Sequence, residues 1–238
     1  AMTLYAIGDI HGQRARLRAA HELVAADRAR HGAPDAPLVH IGDLVDRGPD
    51  SAGVVEDLRR MSAGDPRVVV LAGNHDVMMV DFLNGAAGAD IWLHPGNGGW
   101  ATLASYWVDT DQPLAALRAA ALDRVPEAHL AFLRGLPRQF AHEDCLCVHA
   151  GIRPGVPLDA QDPEDLIWIR GPFLKDWRDH GPLIVHGHTP VERVEHHGNR
   201  LAIDTGAGYG GPVSAVAVEG RAAFLLTNAG RVPLRPLA

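Results

Sequence analysis

Three short motifs rich in aspartate and histidine lie near the start of the chain, and two further histidine motifs follow. Carboxylate, amide and imidazole groups are ligands for hard and borderline divalent metals, and these motifs supply enough of them for two ions. The motifs are Gly8-Asp9-Ile10-His11-Gly12, Gly42-Asp43-Leu44-Val45-Asp46-Arg47-Gly48, Gly73-Asn74-His75-Asp76, Val148-His149-Ala150-Gly151 and Val185-His186-Gly187-His188-Thr189.

The first three motifs each follow a short apolar run, at Leu4–Ile7, Leu38–Ile41 and Val68–Leu71. Runs of this length that end at glycine and aspartate are typical of buried parallel strands. Residues 13–30 and 51–61, which lie between the runs, have the composition and apolar spacing of helices. This alternation predicts an α/β fold with a parallel sheet, whose carboxyl edge carries the motifs.

The chain is most simply one domain over residues 1–238, with an inserted segment at residues 84–137. That segment begins rich in glycine and asparagine and then becomes helical, so we expect a helical cap over the site. From Gln139 onward several short strands predict a second sheet packed on the first, and Glu219-Gly220 is a hairpin-turn signal. We expect the proline-containing tail after Asn228 to pack loosely on the surface.

The spacing of the polar residues suggests how they could hold two metals. Asp9 and His11 lie two apart in one loop, so both can face one ion, and Asp43 ends the neighbouring strand and could bridge to a second ion. Isolated Gly-Asp pairs are usually turn residues, but three such motifs at successive strand ends favour ligands. The second ion could be completed by an amide and two imidazoles, which are Asn74, His149 and His188.

Two metals about 3.5–4 Å apart can clamp a phosphoryl group and lower the pKa of a bridging water, whose hydroxide then attacks phosphorus in line. The departing alkoxide needs a proton, which His75 could supply as a histidine outside the metal shell. Asp46 could fix the tautomer of His75; the alternative for Asp46 is a salt bridge with Arg47.

Phosphate oxygens need rigid donors, and the planar fork of an arginine suits them. Arg47 is the first candidate, because it follows Asp46 within the second motif. Arg170, in Ile167-Trp168-Ile169-Arg170-Gly171, is the second candidate, and the alternative for it is an ordinary surface arginine.

Composition excludes several other classes of protein. The net charge of -7 at pH 7 argues against a general nucleic-acid binder. No apolar run approaches the roughly 20 residues of a membrane span. Because the first predicted strand begins almost at once, we expect no signal peptide. Cys145 and Cys147 are too few for a disulfide framework and should share one buried strand face. A cytoplasmic monomer is therefore the default expectation.

Taken together, the five motifs resemble those of the PPP-type metallophosphoesterases, which are the serine/threonine protein phosphatases and their bacterial and phage relatives. The resemblance covers roughly residues 3–218 and implies a calcineurin-like fold, with a central β-sandwich flanked by helices. It implies one metal on Asp9, His11 and Asp43, and a second metal on Asp43, Asn74, His149 and His188. It also implies a His75–Asp46 general acid and phosphate contacts from Arg47, Arg170 and Tyr209.

The chain departs from this family pattern before the Gly-Asn-His motif, where Ala72 replaces an arginine found in many protein phosphatases. Related enzymes that cleave diadenosine tetraphosphate symmetrically tend to lack an aspartate at the position of Asp46, so its presence favours a protein phosphatase.

We therefore expect a dinuclear phosphomonoesterase for phosphoserine and phosphothreonine, with phosphotyrosine as a further candidate. Manganese is the expected metal, and iron or zinc is also admitted. The alternative is a symmetrical hydrolase of dinucleoside polyphosphates or of another small phosphoester or phosphoanhydride. A catalytically dead phosphate-binding protein is disfavoured by the complete ligand set.

Overall fold

The computed structural model describes residues 2–237, which form two β-sheets and eight α-helices. The helices are α1 (Arg14–His31), α2 (Ser51–Gly64), α3 (Asn74–Asn84), α4 (Gly99–Ser105), α5 (Leu114–Arg124), α6 (Glu127–Arg134), α7 (Pro163–Trp168) and α8 (Gly171–Leu174). The strands are β1 (Thr3–Ile7), β2 (Leu38–His40), β3 (Val68–Val70), β4 (Gln139–His142), β5 (Cys145–Val148), β6 (Leu183–His186), β7 (Glu195–His196), β8 (Arg200–Ala202), β9 (Ala215–Glu219), β10 (Ala222–Thr227) and β11 (Gly230–Leu234). Within residues 2–237, no helix combines the length and apolar character needed to cross a lipid bilayer.

The two sheets each contain a parallel group of strands, and the group in the first sheet is the one that the sequence predicted. The first sheet has the order β11-β10-β9-β1-β2-β3, and the second has the order β4-β5-β6-β8-β7. Strands β1, β2 and β3 are parallel, and so are β5, β6 and β8. Parallel strands end at one edge of their sheet, so the residues that follow them are brought together.

Side chains alternate between the two faces of each sheet and so contribute to different apolar cores. In β1, Leu4 and Ala6 face the second sheet, whereas Tyr5 and Ile7 pack with the helices. Cys145 and Cys147 are buried free thiols in the core between the sheets, which confirms the prediction that they share one strand face. The structure is therefore a sandwich of two sheets with helices outside, as predicted.

Residues 84–137 form a 3-10 segment (Ala89–Leu93) and helices α4, α5 and α6. These elements pack on α2 and α3. Their buried side chains join the apolar cluster that covers the outer face of the first sheet; they include Trp92, Leu103, Tyr106, Leu117, Leu130 and Leu133. The segment is thus held against the helices that follow β2 and β3, beside the loops that carry the second and third motifs.

The end of the chain differs from the prediction. The hairpin at Glu219-Gly220 is confirmed, because Glu219 pairs with Ala222 across a two-residue turn in which Gly220 has a φ of 62°. The loosely packed tail was a wrong prediction, since Gly230–Leu234 forms β11, paired antiparallel with β10. Pro233 is accommodated because β11 is an edge strand, where a missing backbone N–H costs little.

A buried ion pair fastens this edge strand to helix α1. The Arg231 guanidinium donates to the Asp27 carboxylate at 2.8–3.1 Å, and the Tyr5 hydroxyl donates to the same carboxylate at 2.8 Å. The side chains of Asp27 and Arg231 are 3% and 10% exposed. Burial opposes ionisation of Asp27, but Arg231 and Tyr5 outweigh it and lower the pKa of the carboxyl below its ordinary value.

We expect Asp27→Asn to lower the free energy of unfolding by about 3 kcal/mol at pH 7, because the buried Arg231 would lose the Asp27 carboxylate and keep only that of Glu219. Since the folded pKa of Asp27 is depressed, its contribution is present above the unfolded value of about 3.9 and is lost as the pH falls through the folded value. Urea unfolding of the metal-free protein at several pH values would measure this difference.

The matched control for this variant is Asp90→Asn. Its partner Arg118 lies 3.6 Å away, and both side chains are substantially exposed, so a much smaller change is expected. Equal destabilisation by the two substitutions at pH 7 would contradict a special role for the Asp27–Arg231 pair.

Candidate metal centre

The predicted ligand residues of both sheets lie at the same edge of the sandwich. In the first sheet, β1 leads to the first motif, β2 to the second, and β3 runs directly into α3 at the third. In the second sheet, β5 and β6 lead to the two later histidine motifs. The six predicted ligand side chains are at most 6% exposed: Asp9, His11, Asp43, Asn74, His149 and His188.

Asp43 lies at the centre of these residues. Its Oδ2 atom is 3.5 Å from His11 Nε2 and 3.4 Å from His149 Nε2. The Nε2 atom of His149 is also 3.0 Å from the side-chain oxygen of Asn74. One carboxylate thus faces imidazoles from both sheets.

Two groups of possible metal-binding atoms share this carboxylate. The ligand atoms of Asp43, His11 and His75 lie within 4.8 Å of one another, and so do those of Asp43, His149 and His188. A carboxylate common to both groups is the arrangement that a bridging ligand requires. The first group contains His75, which the sequence analysis assigned to proton transfer.

The ring nitrogens of these histidines are oriented as metal ligands would be. The Nδ1 atoms of His11 and His149 lie 2.9 Å and 2.8 Å from the carbonyls of Val45 and Ile41. Donation to those carbonyls leaves each Nε2 free to coordinate, a common arrangement for metal-binding histidines. The Nε2 atom of His188 is buried and has no hydrogen-bond partner among residues 2–237. The donor set of oxygen and imidazole nitrogen therefore fits a divalent metal such as manganese, iron or zinc.

Asp9 lies beside these two groups and belongs to neither of them. Both of its carboxylate oxygens are 3.3 Å from the backbone nitrogen of His188. Burial and the negative charge of Asp204 raise the pKa of Asp9, and burial also raises that of Asp204. Two buried carboxylates that repel one another would be stabilised by a nearby cation.

The imidazoles respond to this charge in different ways. Burial lowers the pKa of both His11 and His188 to about 3, so they are held in the neutral form that binds metals. Burial also opposes protonation of His149, but Asp43 and Asp9 outweigh it and raise its pKa to about 10. The charges that act on His149 thus belong to two of the predicted metal ligands.

His75 and Asp46 form the predicted pair. The Nδ1 atom of His75 lies 2.5 Å from Asp46 Oδ2, and both side chains are buried. Burial opposes protonation of His75, but Asp43 and the hydrogen bond to Asp46 outweigh it and raise its pKa. Within the described residues Asp46 makes this contact instead of an ion pair with Arg47, the alternative raised by the sequence.

The three predicted phosphate-binding residues lie around these groups. Arg47 Nη1 is 3.1 Å from His11 Nε2, and the Arg47 guanidinium carbon is 4.6 Å from the ring centre of Tyr209. The Tyr209 side chain is 70% exposed. Arg170 Nη1 donates to the hydroxyl of Thr189 at 3.2 Å. Arg47 therefore contacts the first motif, and Arg170 contacts the last motif through Thr189.

The loops of this centre carry unusual backbone geometry. Seven non-glycine residues of the described chain have positive φ, and five of them are predicted site residues. Such conformations cost about 1–3 kcal/mol each and persist where the surrounding structure enforces them. The five residues are His11, Asp43, Asp46, Arg47 and His188.

Four side chains that were not predicted from the sequence support the site. Asp76 accepts the backbone N–H groups of Leu44 and Gly73 at 2.9 Å and 2.8 Å and so ties two motif loops together. Asp204 follows a strand, as Asp9 and Asp43 do, and this signal could have identified it. Trp92 and Thr102 donate to Asp46 from the inserted segment, where no motif pointed to them.

The chain is similar to several known phosphoesterases. Residues 2–217 match the model of the calcineurin-like phosphoesterase family. The chain is 28% identical over 228 residues to serine/threonine-protein phosphatase 1 of Salmonella typhimurium, covering 91% of this chain and 92% of that protein. It is 33% identical over 153 residues to a symmetrical bis(5'-nucleosyl)-tetraphosphatase of Methylococcus capsulatus, covering 64% of this chain and 44% of that protein.

A solved structure supports the same fold. The crystal structure of a cold-active protein-tyrosine phosphatase from a Shewanella species superposes with a TM-score of 0.66 at 18% identity. The match covers 98% of this chain and 80% of that one. At this level of identity the likeness shows the shared architecture of two sheets and flanking helices.

We expect Asp43→Asn to reduce binding at both metal positions, because its carboxylate is common to both groups of ligand atoms. After reconstitution with manganese and gel filtration, elemental analysis should find about two ions per wild-type chain and far fewer in the variant. Asp90→Asn, which neutralises an exposed carboxylate on the inserted segment, is the control and should keep the wild-type content. Two full ions in Asp43→Asn would refute the bridging role.

Proposed function

The chain belongs to the calcineurin-like phosphoesterase family. We propose that it hydrolyses phosphoserine and phosphothreonine monoesters with the help of two divalent metals. The observation that carries the reaction type is the His75–Asp46 pair beside a carboxylate shared by two groups of metal-binding atoms. Such a pair can protonate an alkoxide leaving group next to an electrophilic centre.

The proposed metal residues are those that the sequence predicted: Asp9, His11, Asp43, Asn74, His149 and His188. Two bound ions would supply an activated water and neutralise charge on the phosphoryl group. Manganese is the ion that we propose for the purified protein, and the same donor set accepts iron or zinc.

His75 is the proposed proton donor to the leaving oxygen. Because its Nδ1 faces Asp46 at 2.5 Å, the proton on Nε2 is the one available to substrate. Before the transfer the His75 ring is protonated on both nitrogens and Asp46 stabilises its charge; after Nε2 gives up its proton, Asp46 keeps the remaining proton on Nδ1. The bond from phosphorus to the leaving oxygen then breaks as that oxygen gains a proton.

Arg47 and Arg170 are the proposed phosphate-binding residues, and the Tyr209 hydroxyl is a further contact. The ring of Tyr209 lies against the Arg47 guanidinium, which limits the orientations of that side chain. The two arginines, one at the first motif and one at the last, would hold the nonbridging oxygens and orient the phosphorus for in-line attack.

We expect His75→Asn to lower kcat for a phosphoserine peptide by roughly 10²-fold or more, because general acid catalysis is worth that much or more. The metal content should be retained, which elemental analysis of the same preparation would establish. Steady-state kinetics with manganese would measure the loss. Near-wild-type turnover with both metals present would refute the assignment of His75.

A cleft beside the candidate centre favours phosphopeptides as substrates. Its volume is about 540 Å³. Trp168 forms part of its wall. The ring centre of Trp168 lies 5.9 Å from that of His188, so the cleft opens beside the proposed metal residues. The residues that line it are Met78, Asp81, Ala86, Ala87, Gly88, Ala89, Ile91, His94, Asn97 and Trp168.

The charge of this cleft supports the choice of substrate. Asp81 contributes a carboxylate, and no lysine or arginine lines the cleft in the part of the chain that the structure describes. The additional phosphates of a dinucleoside polyphosphate would meet Asp81 with no lysine or arginine in the cleft lining to balance their charge. A peptide with apolar or basic residues beside its phosphoserine would find a compatible surface.

Symmetrical cleavage of dinucleoside polyphosphates is the second candidate function. It is favoured by the similarity to the Methylococcus enzyme. It is also favoured by Ala72, which is buried and cannot contact phosphate as an arginine at that position would.

The two candidates can be separated with one manganese-reconstituted preparation. We expect kcat/KM for phosphoserine and phosphothreonine peptides to exceed that for diadenosine tetraphosphate by at least about tenfold, a difference of about 1.4 kcal/mol. Phosphotyrosine peptides would be measured alongside them. The reverse preference would overturn the proposed substrate class and leave the phosphoesterase chemistry intact.

Asp81→Lys is the informative variant for this comparison. If the cleft selects substrates by charge, the variant should lower kcat/KM for peptides with basic flanking residues and raise it for the dinucleotide. Asp90→Asn, which lies outside the cleft lining, should leave the ratio unchanged.

A further inference from the structure

The inserted segment contacts the proposed acid pair through two buried hydrogen-bond donors. Trp92, in the 3-10 segment Ala89–Leu93, is fully buried, and its Nε1 lies 3.0 Å and 2.9 Å from the two oxygens of Asp46. Thr102, in helix α4, is also fully buried and donates its hydroxyl to Asp46 Oδ1 at 2.7 Å. Both residues come from outside the motifs that carry the predicted chemistry.

We propose that Trp92 and Thr102 are positioning residues that hold the Asp46 carboxylate in the orientation that His75 requires. This inference rests on the proposed function, in which His75 donates a proton to the leaving group. Trp92 and Thr102 act through Asp46 and make no contact with the reacting atoms themselves.

The hydrogen-bond geometry of Asp46 supports this role. An ionised carboxylate accepts at about four lone-pair positions. The indole N–H of Trp92 lies within hydrogen-bond distance of both Asp46 oxygens. The Thr102 hydroxyl donates to Oδ1, and His75 Nδ1 faces Oδ2. Rotation of the carboxylate would break the contacts to Trp92 and Thr102 inside a buried environment, where unmade hydrogen bonds are costly.

The backbone of Asp46 is held by the same segment. Its N–H donates to the hydroxyls of Thr102 at 2.8 Å and Ser51 at 3.1 Å. The next N–H, of Arg47, donates to the carbonyl of Gly98 at 3.1 Å. Asp46 and Arg47 both have positive φ, so these contacts help to enforce a conformation that non-glycine residues disfavour.

Trp92 also has a packing role, and the test must separate that role from positioning. Its ring centre lies 5.2 Å from that of Phe82, and it belongs to the apolar cluster outside the first sheet. Loss of packing alone would reduce the amount of active enzyme and would lower the rate for every substrate by the same factor. Loss of positioning would lower the rate only where the leaving group needs a proton.

The experiment compares two substrates that differ in leaving group. A phosphoserine peptide releases a strongly basic alkoxide, whereas p-nitrophenyl phosphate releases a weakly basic phenolate that departs without a proton. In the manganese-loaded enzyme, we expect Trp92→Phe to lower kcat for the peptide about tenfold. For p-nitrophenyl phosphate we expect a change of less than about threefold, since only orientation of the acid is lost.

Tyr106→Phe is the matched control for Trp92→Phe. Tyr106 is a buried aromatic residue of the same segment, and its hydroxyl lies 2.9 Å from His129 Nδ1. The variant therefore loses one buried hydrogen bond without touching Asp46. It should leave the ratio of the two substrate rates unchanged.

Thr102 provides a second test in case Trp92→Phe does not fold. Thr102→Val removes the hydroxyl at nearly constant volume and should lower the peptide rate selectively. Thr102→Ser keeps the hydroxyl and should restore the wild-type ratio. Equal losses on both substrates in Trp92→Phe or in Thr102→Val would overturn the positioning role.

The double variant Trp92→Phe/His75→Asn separates this inference from the proposed function. If Trp92 acts through the acid pair, it should cause no further loss once His75 is replaced. If His75→Asn lost activity on the peptide but not on p-nitrophenyl phosphate, while Trp92→Phe kept full activity on both, this inference alone would be overturned. Full activity of His75→Asn on the peptide would overturn the proposed role of His75 itself.

Discussion

Buried negative charge at the joint edge of the two sheets is the constraint on which the rest of the structure depends. Asp9, Asp43, Asp76 and Asp204 are at most 3% exposed. Burial raises the pKa of three of them, that of Asp76 to about 7, whereas His149 and other histidines outweigh burial and lower that of Asp43. Charge of this density in a protein interior is unfavourable unless it is paired or coordinates cations, and the surrounding imidazoles supply the remaining ligands that cations would need.

The backbone has to approach these carboxylates very closely, and this explains two of the motif glycines. A Cβ atom at Gly73 would lie 2.1 Å from Asp43 Oδ1, and one at Gly187 would lie 2.1 Å from Asp9 Oδ1. Any other residue would force the loops apart and separate ligands that come from different strands. Gly73 thus allows close approach of two loops of the first sheet, and Gly187 allows close approach of one loop from each sheet.

The convergence of the proposed metal residues could be predicted because each follows an apolar run, and parallel strands bring such ends together whatever lies between them. The contacts of Trp92 and Thr102 with Asp46 could not be predicted, since they depend on the tertiary path of residues 84–137, which carries no motif. Strand β11 was missed for a different reason. Pro233 suggested irregular structure, but the edge of a sheet tolerates a proline that its centre would reject.

The inserted segment carries both part of the cleft proposed to select substrates and the two donors proposed to orient the acid pair. Its residues from Ala86 to Asn97 form much of the cleft, and Trp92, within that stretch, turns inward to Asp46. Gly98 then holds the backbone of Arg47. A substrate that shifts the cleft wall would therefore also shift the donors on Asp46. Changes in this segment should alter specificity and proton transfer together, because one short piece of chain carries both contacts.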